Sequence, residues 1–181
     1  MLKITLPAQE IWDERSEEFV YYKEQTLQLE HSLISISKWE SKWHKSFLKS
    51  EKTDEEILDY IRCMTITQNV KEETYARLTE NHLRKIYAYI DDPMTATTFY
   101  DDEESKKPNN ETITSELIYY WMIAQNIPVE FEKWHINRLI ALIRVCSIKN
   151  APPKKRMSEA EIKRRNHALN EARKKKLNTR G

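Results

Sequence analysis

The sequence predicts a mainly α-helical protein, in which a helical domain carries a small N-terminal β-hairpin and a basic C-terminal helical tail. The chain of 181 residues contains one glycine, Gly181, whereas β-sandwiches and barrels use glycine in many tight turns. Apolar residues recur at steps of three and four over most of the chain, which is the spacing of one helix face. Two capping boxes, starting at Thr53 and Ser158, mark helix beginnings.

The scarcity of glycine also excludes whole classes of functional site. The Walker loop, the dinucleotide-binding fingerprint, the nucleophile elbow and the EF-hand loop all need glycine at fixed positions. No Cys/His or Ser/His/Asp arrangement can be defended from residue order alone, because triads are recognised by geometry. We therefore expect a protein that is not an enzyme and uses no cofactor.

The charges divide the chain after Ala151. Residues 1–151 contain 19 Lys and Arg against 26 Asp and Glu, a net charge of −7, whereas residues 152–181 contain 11 against 3, a net charge of +8. We call these segments the acidic body and the basic tail. Such asymmetry indicates a nucleic acid, a membrane surface or an acidic protein as partner, or a tail that folds onto its own body.

The body is expected to begin with a hairpin and continue as helices. Residues 2–7 and 18–22 are the predicted strands, with Ile11 and Trp12 at the hinge. The next apolar positions follow helical spacing, although a strand over residues 33–37 is the alternative. The face of this first helix would contain Leu29, Leu33, Ile36, Trp39 or Glu40, and Trp43.

Further helices are predicted along the rest of the body. One begins at Thr53 and turns Ile57, Tyr60, Ile61 and Met64 inward, and Asp91-Asp92-Pro93 ends a later one. The ranges we expect are helices over 72–78 and 79–90, an exposed loop over 101–110, a buried core helix over 117–124 and a last helix over 131–148 that packs against it.

The tail is predicted to form one weakly held helix. Its capping box runs from Ser158 to Glu161, and the helix should extend to about Lys176. Apart from alanines, its apolar residues are only Ile162, Leu169 and Leu177. Because that stripe is too thin to hold a helix firmly on a core, we expect a mobile tail, or one that a partner orders.

The metal-ligating residue types form no convincing site. Glu132 and His135 have the Glu-x-x-His spacing of di-iron bundles, but such a site needs two copies and two further glutamates. We expect Glu132 to be solvated and His135 to be hydrogen-bonded at the helix surface. Cys63 and Cys146 form no CxxC pair and are expected to be buried, reduced thiols.

Two groups of residues are candidates for contact with partners. The body tryptophans are more consistent with core packing than with a platform for stacking bases, since basic residues do not interleave with them in the sequence. Those that prove exposed would contact a protein partner: Trp39, Trp43, Trp121 and Trp134. The tail residues suit phosphates or an acidic protein surface, the alternative being a merely solubilising extension: Lys154, Lys155, Arg156, Lys163, Arg164, Arg165, Arg173, Lys174, Lys175 and Lys176.

Several segments resemble the tail assembly chaperones of tailed bacteriophages. They are residues 30–43 (EHSLISISKWESKW), 60–65 (YIRCMT), 118–124 (IYYWMIA) with Ile127-Pro128, 133–139 (KWHINRL), 150–155 (NAPPKK) and 177–181 (LNTRG). The resemblance implies a protein of the host cytoplasm that coats the tape measure protein and recruits tail tube subunits to it. It also implies that a second, longer product could arise by ribosomal frameshifting, for which Lys154-Lys155 is a candidate place.

Two other functions remain as alternatives. One is a nucleic-acid-associated phage protein that uses the basic tail as an electrostatic arm. The other is a virion structural or connector protein whose N-terminal hairpin adds strands to a neighbour. Self-association is left open, and a membrane partner is not expected because no apolar run approaches the roughly 18 to 20 residues that span a bilayer.

Overall fold

The computed structural model describes residues 1–14, 17–99, 111–152 and 158–177. It divides the chain into two units, Met1–Lys149 and Asn150–Gly181. The predicted division after Ala151 lies two residues further along. Seven α-helices in the described residues make the protein mainly helical, as predicted. The predicted loop over 101–110 lies outside the described residues.

The N-terminal strands pair differently from the prediction. Strand β1 (Leu2–Leu6) pairs antiparallel with β4 (Gln25–Leu29), and β2 (Gln9–Asp13) pairs with β3 (Glu18–Tyr22). The pairing of residues 2–7 with 18–22 was therefore wrong, and the predicted hinge is itself a strand. The reason is the hydrophobic register, because the β1–β4 pairing buries apolar side chains of both strands on one face. These side chains are Ile4, Leu6, Leu27 and Leu29.

Helix α1 (Leu33–Trp43) follows directly, so the helix prediction is confirmed and the strand alternative is wrong. Ser32 and Ser35 form a capping box, in which the backbone N–H of each residue donates to the hydroxyl oxygen of the other. Leu29 belongs to β4 and not to this helix. The helix ends at His44, whose φ of 53° is left-handed and lets its N–H donate to the Glu40 carbonyl.

Three helices build the middle of the body. The predicted capping box of Thr53 and Glu56 opens α2 (Asp54–Met64). Helices α3 (Glu72–Ala76) and α4 (Glu80–Asp91) follow close to their predicted places. The apolar faces of α2 and α4 pack into one core with the strands and α1.

The last part of the body departs from the predicted helix over 131–148. Helix α5 (Ser115–Ala124) leads into a short 3-10 turn (Val129–Lys133), and α6 (Ile136–Asn150) begins five residues later than predicted. The backbone of His135 pairs with Ser32, and the Ile136 N–H donates to the His31 carbonyl at 2.7 Å. This pairing keeps the chain extended at Trp134, whose ψ is 159°, and so delays the helix.

One continuous core holds the first unit together. It combines the strands β1 and β4 with helices α1, α2, α4, α5 and α6. The core side chains that are at least 99% buried are Leu6, Leu27, Leu29, Leu33, Ile36, Trp39, Met64, Ile86, Ile118, Ile136 and Leu139. Burial at this level is the main stabilising contribution to such a domain.

The second unit contains helix α7 (Glu159–Leu177). Its predicted capping box is confirmed, because Ser158 N–H donates to Glu161 Oε2 at 2.7 Å and Glu161 N–H donates to Ser158 Oγ at 3.3 Å. None of its residues is buried. In the part of the chain that is described, every helix is too short or too polar to cross a lipid bilayer.

Candidate protein-binding surfaces

The four candidate tryptophans occupy different environments. Trp39 is completely buried in α1, and its indole N–H donates to the Glu56 carbonyl at 2.9 Å. Trp39 is therefore not available for contact with a partner, which we expected only of exposed tryptophans. Trp43, Trp121 and Trp134 are half-buried. The expectation that tryptophans mainly serve the core holds fully for Trp39 alone.

Trp43 takes part in a polar cluster at the edge of α1 and α2. Its indole N–H donates to Asp59 Oδ2 at 2.9 Å, while Lys42 Nζ lies 2.6 Å from Asp59 Oδ1. Burial would raise the pKa of Asp59, but the hydrogen bonds from Lys42 and Trp43 outweigh it and hold that pKa below its usual value. The cluster fixes the end of α1 and leaves one side of the indole in contact with solvent.

Trp134 is held between two neighbours. Its ring stacks on Phe131 with centroids 4.1 Å apart, and the Arg138 guanidinium carbon lies 4.1 Å from its centroid. Such cation–π contacts contribute roughly 0.5–1 kcal/mol at exposed sites. The expectation that basic residues do not interleave with the body aromatics was therefore wrong. Arg138 stands only four positions after Trp134, and Lys42 directly precedes Trp43 with its Nζ 5.6 Å from that ring, so both basic residues are close in the sequence as well.

A group of three exposed aromatic side chains lies on the β2–β3 hairpin, which the sequence reasoning did not select. Trp12, Phe19 and Tyr21 are 49%, 69% and 60% exposed. Trp12 and Phe19 are cross-strand partners with ring centroids 5.1 Å apart, and Tyr21 is the partner of Glu10. Directly opposed residues in an antiparallel pair point to the same side. We call Glu10, Trp12, Phe19 and Tyr21 the hairpin face.

The other side of the hairpin is attached to the rest of the first unit through Arg77. Its guanidinium carbon lies 5.1 Å from the centroid of Tyr22, and its Nη2 donates to the Pro7 carbonyl. Arg77 also bonds the Lys23 carbonyl at 3.5 Å. These contacts hold the two chain segments at the open end of the hairpin, where β2 begins and β3 ends. The hairpin face itself is therefore presented outward on a fixed base.

A second apolar surface lies on α5, which we predicted to be a buried core helix. Ile118 and Met122 do face the core, but Tyr120 and Ile123 are 63% and 72% exposed. A helix that is apolar on all sides is normally covered on all sides. The prediction of complete burial was wrong because α5 lies at the edge of the core, where only one of its faces meets other helices.

A cavity of about 400 Å³ opens beside α4. Its walls are mainly apolar and include Phe47, Ile57, Leu83 and Ile86. Two of its polar side chains are already engaged, since His31 Nδ1 is hydrogen-bonded to the Tyr60 hydroxyl and Lys52 Nζ donates to the carbonyls of Phe47 and Ser50. The cavity could accept an apolar side chain, but it presents no activated nucleophile.

His31 is held neutral in this cavity wall. Burial, together with the smaller effect of the neighbouring His135 ring, whose centroid is 5.0 Å away, lowers its pKa to about 3. Burial likewise raises the pKa of Tyr60 far above its usual value. The pair is therefore an uncharged hydrogen bond over the whole neutral range and acts as a structural link between β4 and α2.

The low pKa of His31 predicts acid sensitivity. In the unfolded chain this histidine takes up a proton near pH 6.5, whereas in the folded protein it does so only near pH 3. The unfolded state thus binds more protons between these values, and stability falls as the pH falls through that window. We expect the free energy of unfolding to drop by about 2 kcal/mol between pH 7 and pH 5, measured by urea denaturation.

A His31→Gln variant provides the control for this prediction. It should be less stable at pH 7, because the hydrogen bond to Tyr60 is disturbed, but most of the loss between pH 7 and pH 5 should disappear. Carboxylates titrate mainly below this window and contribute little to it. An unchanged slope in the variant would mean that another group causes the acid sensitivity.

The predicted surface position of His135 was wrong. His135 is buried, precedes α6, and its Nε2 lies 2.9 Å from the Tyr89 carbonyl. Glu132 accepts a hydrogen bond from the Tyr119 hydroxyl at 2.8 Å, so it is not simply solvated. Within the described ranges, no group of three or more His, Cys, Asp or Glu is placed to hold a metal ion. Cys63 and Cys146 are free thiols, as expected, but are only half-buried.

The basic candidates in the described tail lie on α7, and all are exposed. They are Lys163, Arg164, Arg165, Arg173, Lys174, Lys175 and Lys176. Lys154, Lys155 and Arg156 lie outside the described residues. The helix therefore presents a dense positive charge to solvent over five turns.

Comparison with known proteins identifies no relative. No family model matches the sequence, and neither a curated protein nor a solved structure matches it.

Proposed function

We propose that this protein is a non-enzymatic tail assembly chaperone of a tailed bacteriophage, which binds the tape measure protein and recruits tail tube subunits to it. The observation that carries the proposal is the hairpin face, where three aromatic side chains are exposed side by side. Contiguous exposed apolar surface marks protein interaction sites more often than scattered apolar residues do. The family that residues 30–43, 118–124 and 133–139 resemble suggests the identity of the partner.

The surfaces suit a partner made of amphipathic helices. Aromatic side chains supply large contact areas and are enriched where interfaces are strongest. The exposed face of α5, with Tyr120 and Ile123, adds a second apolar contact on the same unit. Two separate contacts on one molecule raise the overall affinity for a long helical partner that can reach both.

A pull-down tests the proposal directly. The chain is co-expressed with the tape measure protein of its own genome and captured after nuclease treatment at about 0.15 M and about 0.5 M salt. We expect retention at both salt concentrations, because apolar contacts are weakly screened by salt. Absence of the tape measure protein at both salt concentrations would contradict the proposal.

A paired variant locates the contact. Trp12→Ser with Phe19→Ser should reduce the captured tape measure protein at least tenfold, since interface aromatics often contribute more than about 1.4 kcal/mol each. The matched control is Ile66→Ser with Ile148→Ser, which changes two other exposed apolar residues. Equal losses in both pairs would contradict a specific role of the hairpin face.

Nucleic-acid binding through α7 is the second candidate function. The observation that favours it is the row of seven Lys and Arg on a helix with no buried residue. Binding of this kind weakens steeply with salt, because each neutralised phosphate releases counterions. If deleting residues 152–181 abolishes a salt-sensitive complex with DNA or RNA, and no tape measure protein is captured, this candidate replaces the first.

A virion structural or connector role is the third candidate. The β2–β3 sheet has two strands, so each strand has one edge that no other described strand covers. Such edges can accept a strand from a neighbour. Presence of the protein in purified virions would favour this role, whereas a chaperone should be absent from them.

A further inference from the structure

The hairpin face combines aromatic exposure with negative charge. Residues 9–24, which form β2, β3 and their flanks, include six Asp and Glu against two Lys and Arg, a net charge of −4. Glu10 shares the face with the aromatic side chains, and Glu18 belongs to the next pair of the register, where it points to the opposite side but adds to the negative charge of the segment. An occupant of this face therefore has to offer apolar side chains surrounded by positive charge.

Two copies of this chain could meet hairpin to hairpin, or hairpin to a basic element, and the charge of the hairpin distinguishes the two. Two hairpin faces packed against each other would bring together two segments of charge −4, and like charges facing each other oppose association. A symmetric contact between hairpins is therefore disfavoured. The complementary surface has to come from a basic element.

Helix α7 has that composition. Residues 159–177 contain seven Lys and Arg against three Glu, a net charge of +4. Ile162 and Leu169 are seven positions apart, so they lie on one side of the helix, and both are exposed. Ala172 extends the same stripe by one turn. The helix is thus basic, carries a narrow apolar stripe on one side, and has no buried residue.

The dimensions of the two surfaces agree. Seven residues of α-helix span about 10 Å. Residues two apart on a strand are about 7 Å apart, and paired strands are about 5 Å apart. The Trp12–Phe19 pair and Tyr21 therefore cover about the same length as the Ile162–Leu169 stripe. A single helix of about 10 Å diameter is wide enough to cover a two-stranded ribbon.

We propose that helix α7 of one copy docks on the hairpin face of a second copy. Ile162 and Leu169 pack against Trp12, Phe19 and Tyr21, and the Lys and Arg of the helix face the acidic residues of the hairpin. This contact joins different surfaces of the two molecules, so in a docked pair one copy keeps an unoccupied hairpin face and the other keeps an undocked α7. Contacts of this type produce closed assemblies, including a two-fold pair that exchanges its α7 helices, or open chains. The inference goes beyond the proposed function, since it does not depend on any other protein.

Two full-length variants, each with the charge of one of the two surfaces reversed, test the proposal. The first variant reverses the hairpin with Glu10→Lys, Glu14→Lys and Glu18→Lys. The second reverses the helix with Arg173→Glu, Lys174→Glu and Lys176→Glu. Sedimentation velocity of nuclease-treated protein is followed over about a hundredfold range of concentration near 0.1 M salt, where charge contacts are least screened.

The expected pattern has three parts. The wild-type chain gains mass with concentration, and each variant alone sediments as a monomer because its hairpin and helix have the same sign of charge. An equimolar mixture of the two variants associates again, because each hairpin now meets an oppositely charged helix in the other variant. Near 0.5 M salt, the wild-type dissociation constant should rise at least about tenfold.

Apolar variants separate packing from charge alone. Trp12→Ser with Phe19→Ser should weaken self-association at least about tenfold, while Ile66→Ser with Ile148→Ser should leave it unchanged. A wild-type chain that stays monomeric over the whole range would overturn the proposal. A mixture of the two charge variants that stays monomeric would also overturn it, because restored charge complementarity would then fail to join the helix and the hairpin. No tape measure protein is present, so this outcome is independent of the pull-down.

Discussion

Replacing Trp39 with alanine is expected to lower the free energy of unfolding by about 3–5 kcal/mol. The side chain is completely buried, with its ring 5.3 Å from that of Phe47 between centroids. Its removal opens a large cavity in the core and leaves the Glu56 carbonyl without the indole N–H that now bonds it. Since small domains have a total stability of about 5–15 kcal/mol, the loss removes much of it.

Trp12→Ala is the matched control, because it removes the same side chain from an exposed position. We expect a loss of less than about 1 kcal/mol there, mainly from the contact with Phe19. Urea denaturation followed by circular dichroism measures both variants. Similar losses in the two variants would contradict the contrast between a core tryptophan and a surface tryptophan.

Replacing Glu40 with alanine is expected to lower the free energy of unfolding by about 2–4 kcal/mol. Glu40 lies on α1 and is buried, and its two carboxylate oxygens bind two distant backbone groups. Oε1 accepts from the Phe47 N–H at 2.8 Å, and Oε2 accepts from the Ser115 N–H at 2.7 Å. Ser115 begins α5, so one carboxylate joins the end of α1, the following loop and the start of a helix 75 positions away.

The large effect follows from what the substitution leaves behind. Both N–H groups stay buried, and an unsatisfied buried donor costs about 1–3 kcal/mol. Glu40→Gln keeps one acceptor oxygen and should lose about half as much as Glu40→Ala. Thermal and urea denaturation of both variants provide the measurement. An alanine variant within about 0.5 kcal/mol of the wild type would show that water replaces the carboxylate.

The helices of this protein could be predicted from the sequence because their signals are local. Thr53 and Ser158 begin capping boxes that depend only on a residue three positions further on. The helical period from Leu33 to Trp43 outweighed the β-branched residues of the same segment. A few consecutive residues determine helix starts of this kind, and tertiary contacts did not change them.

The errors come from contacts between distant residues. Leu2 pairs with Leu29 and not with the nearer strand, because that register buries four apolar side chains. His135 is withdrawn from the predicted helix by backbone pairing with Ser32, more than 100 positions away. No pattern near either residue contains that information.

The candidate surfaces were only partly predictable for the same reason. Trp39 and Trp12 are the same residue type, yet one is buried and the other exposed, and only the fold distinguishes them. Placing Trp12 in a hinge hid the aromatic face that it forms with Phe19. The exposure of α7 was predictable, because its apolar stripe is too thin to be buried.

The left-handed turns of this chain lower its thermal stability, and glycine could recover part of that loss. In the described residues, five positions other than glycine have positive φ, among them Glu17, His44 and Met94. A left-handed backbone costs an ordinary residue roughly 1 kcal/mol that glycine does not lose. Because no position before Gly181 is glycine, each of these turns carries that cost. Glycine at His44 or Met94 should therefore raise the melting temperature and leave the hairpin face and α7 unaltered.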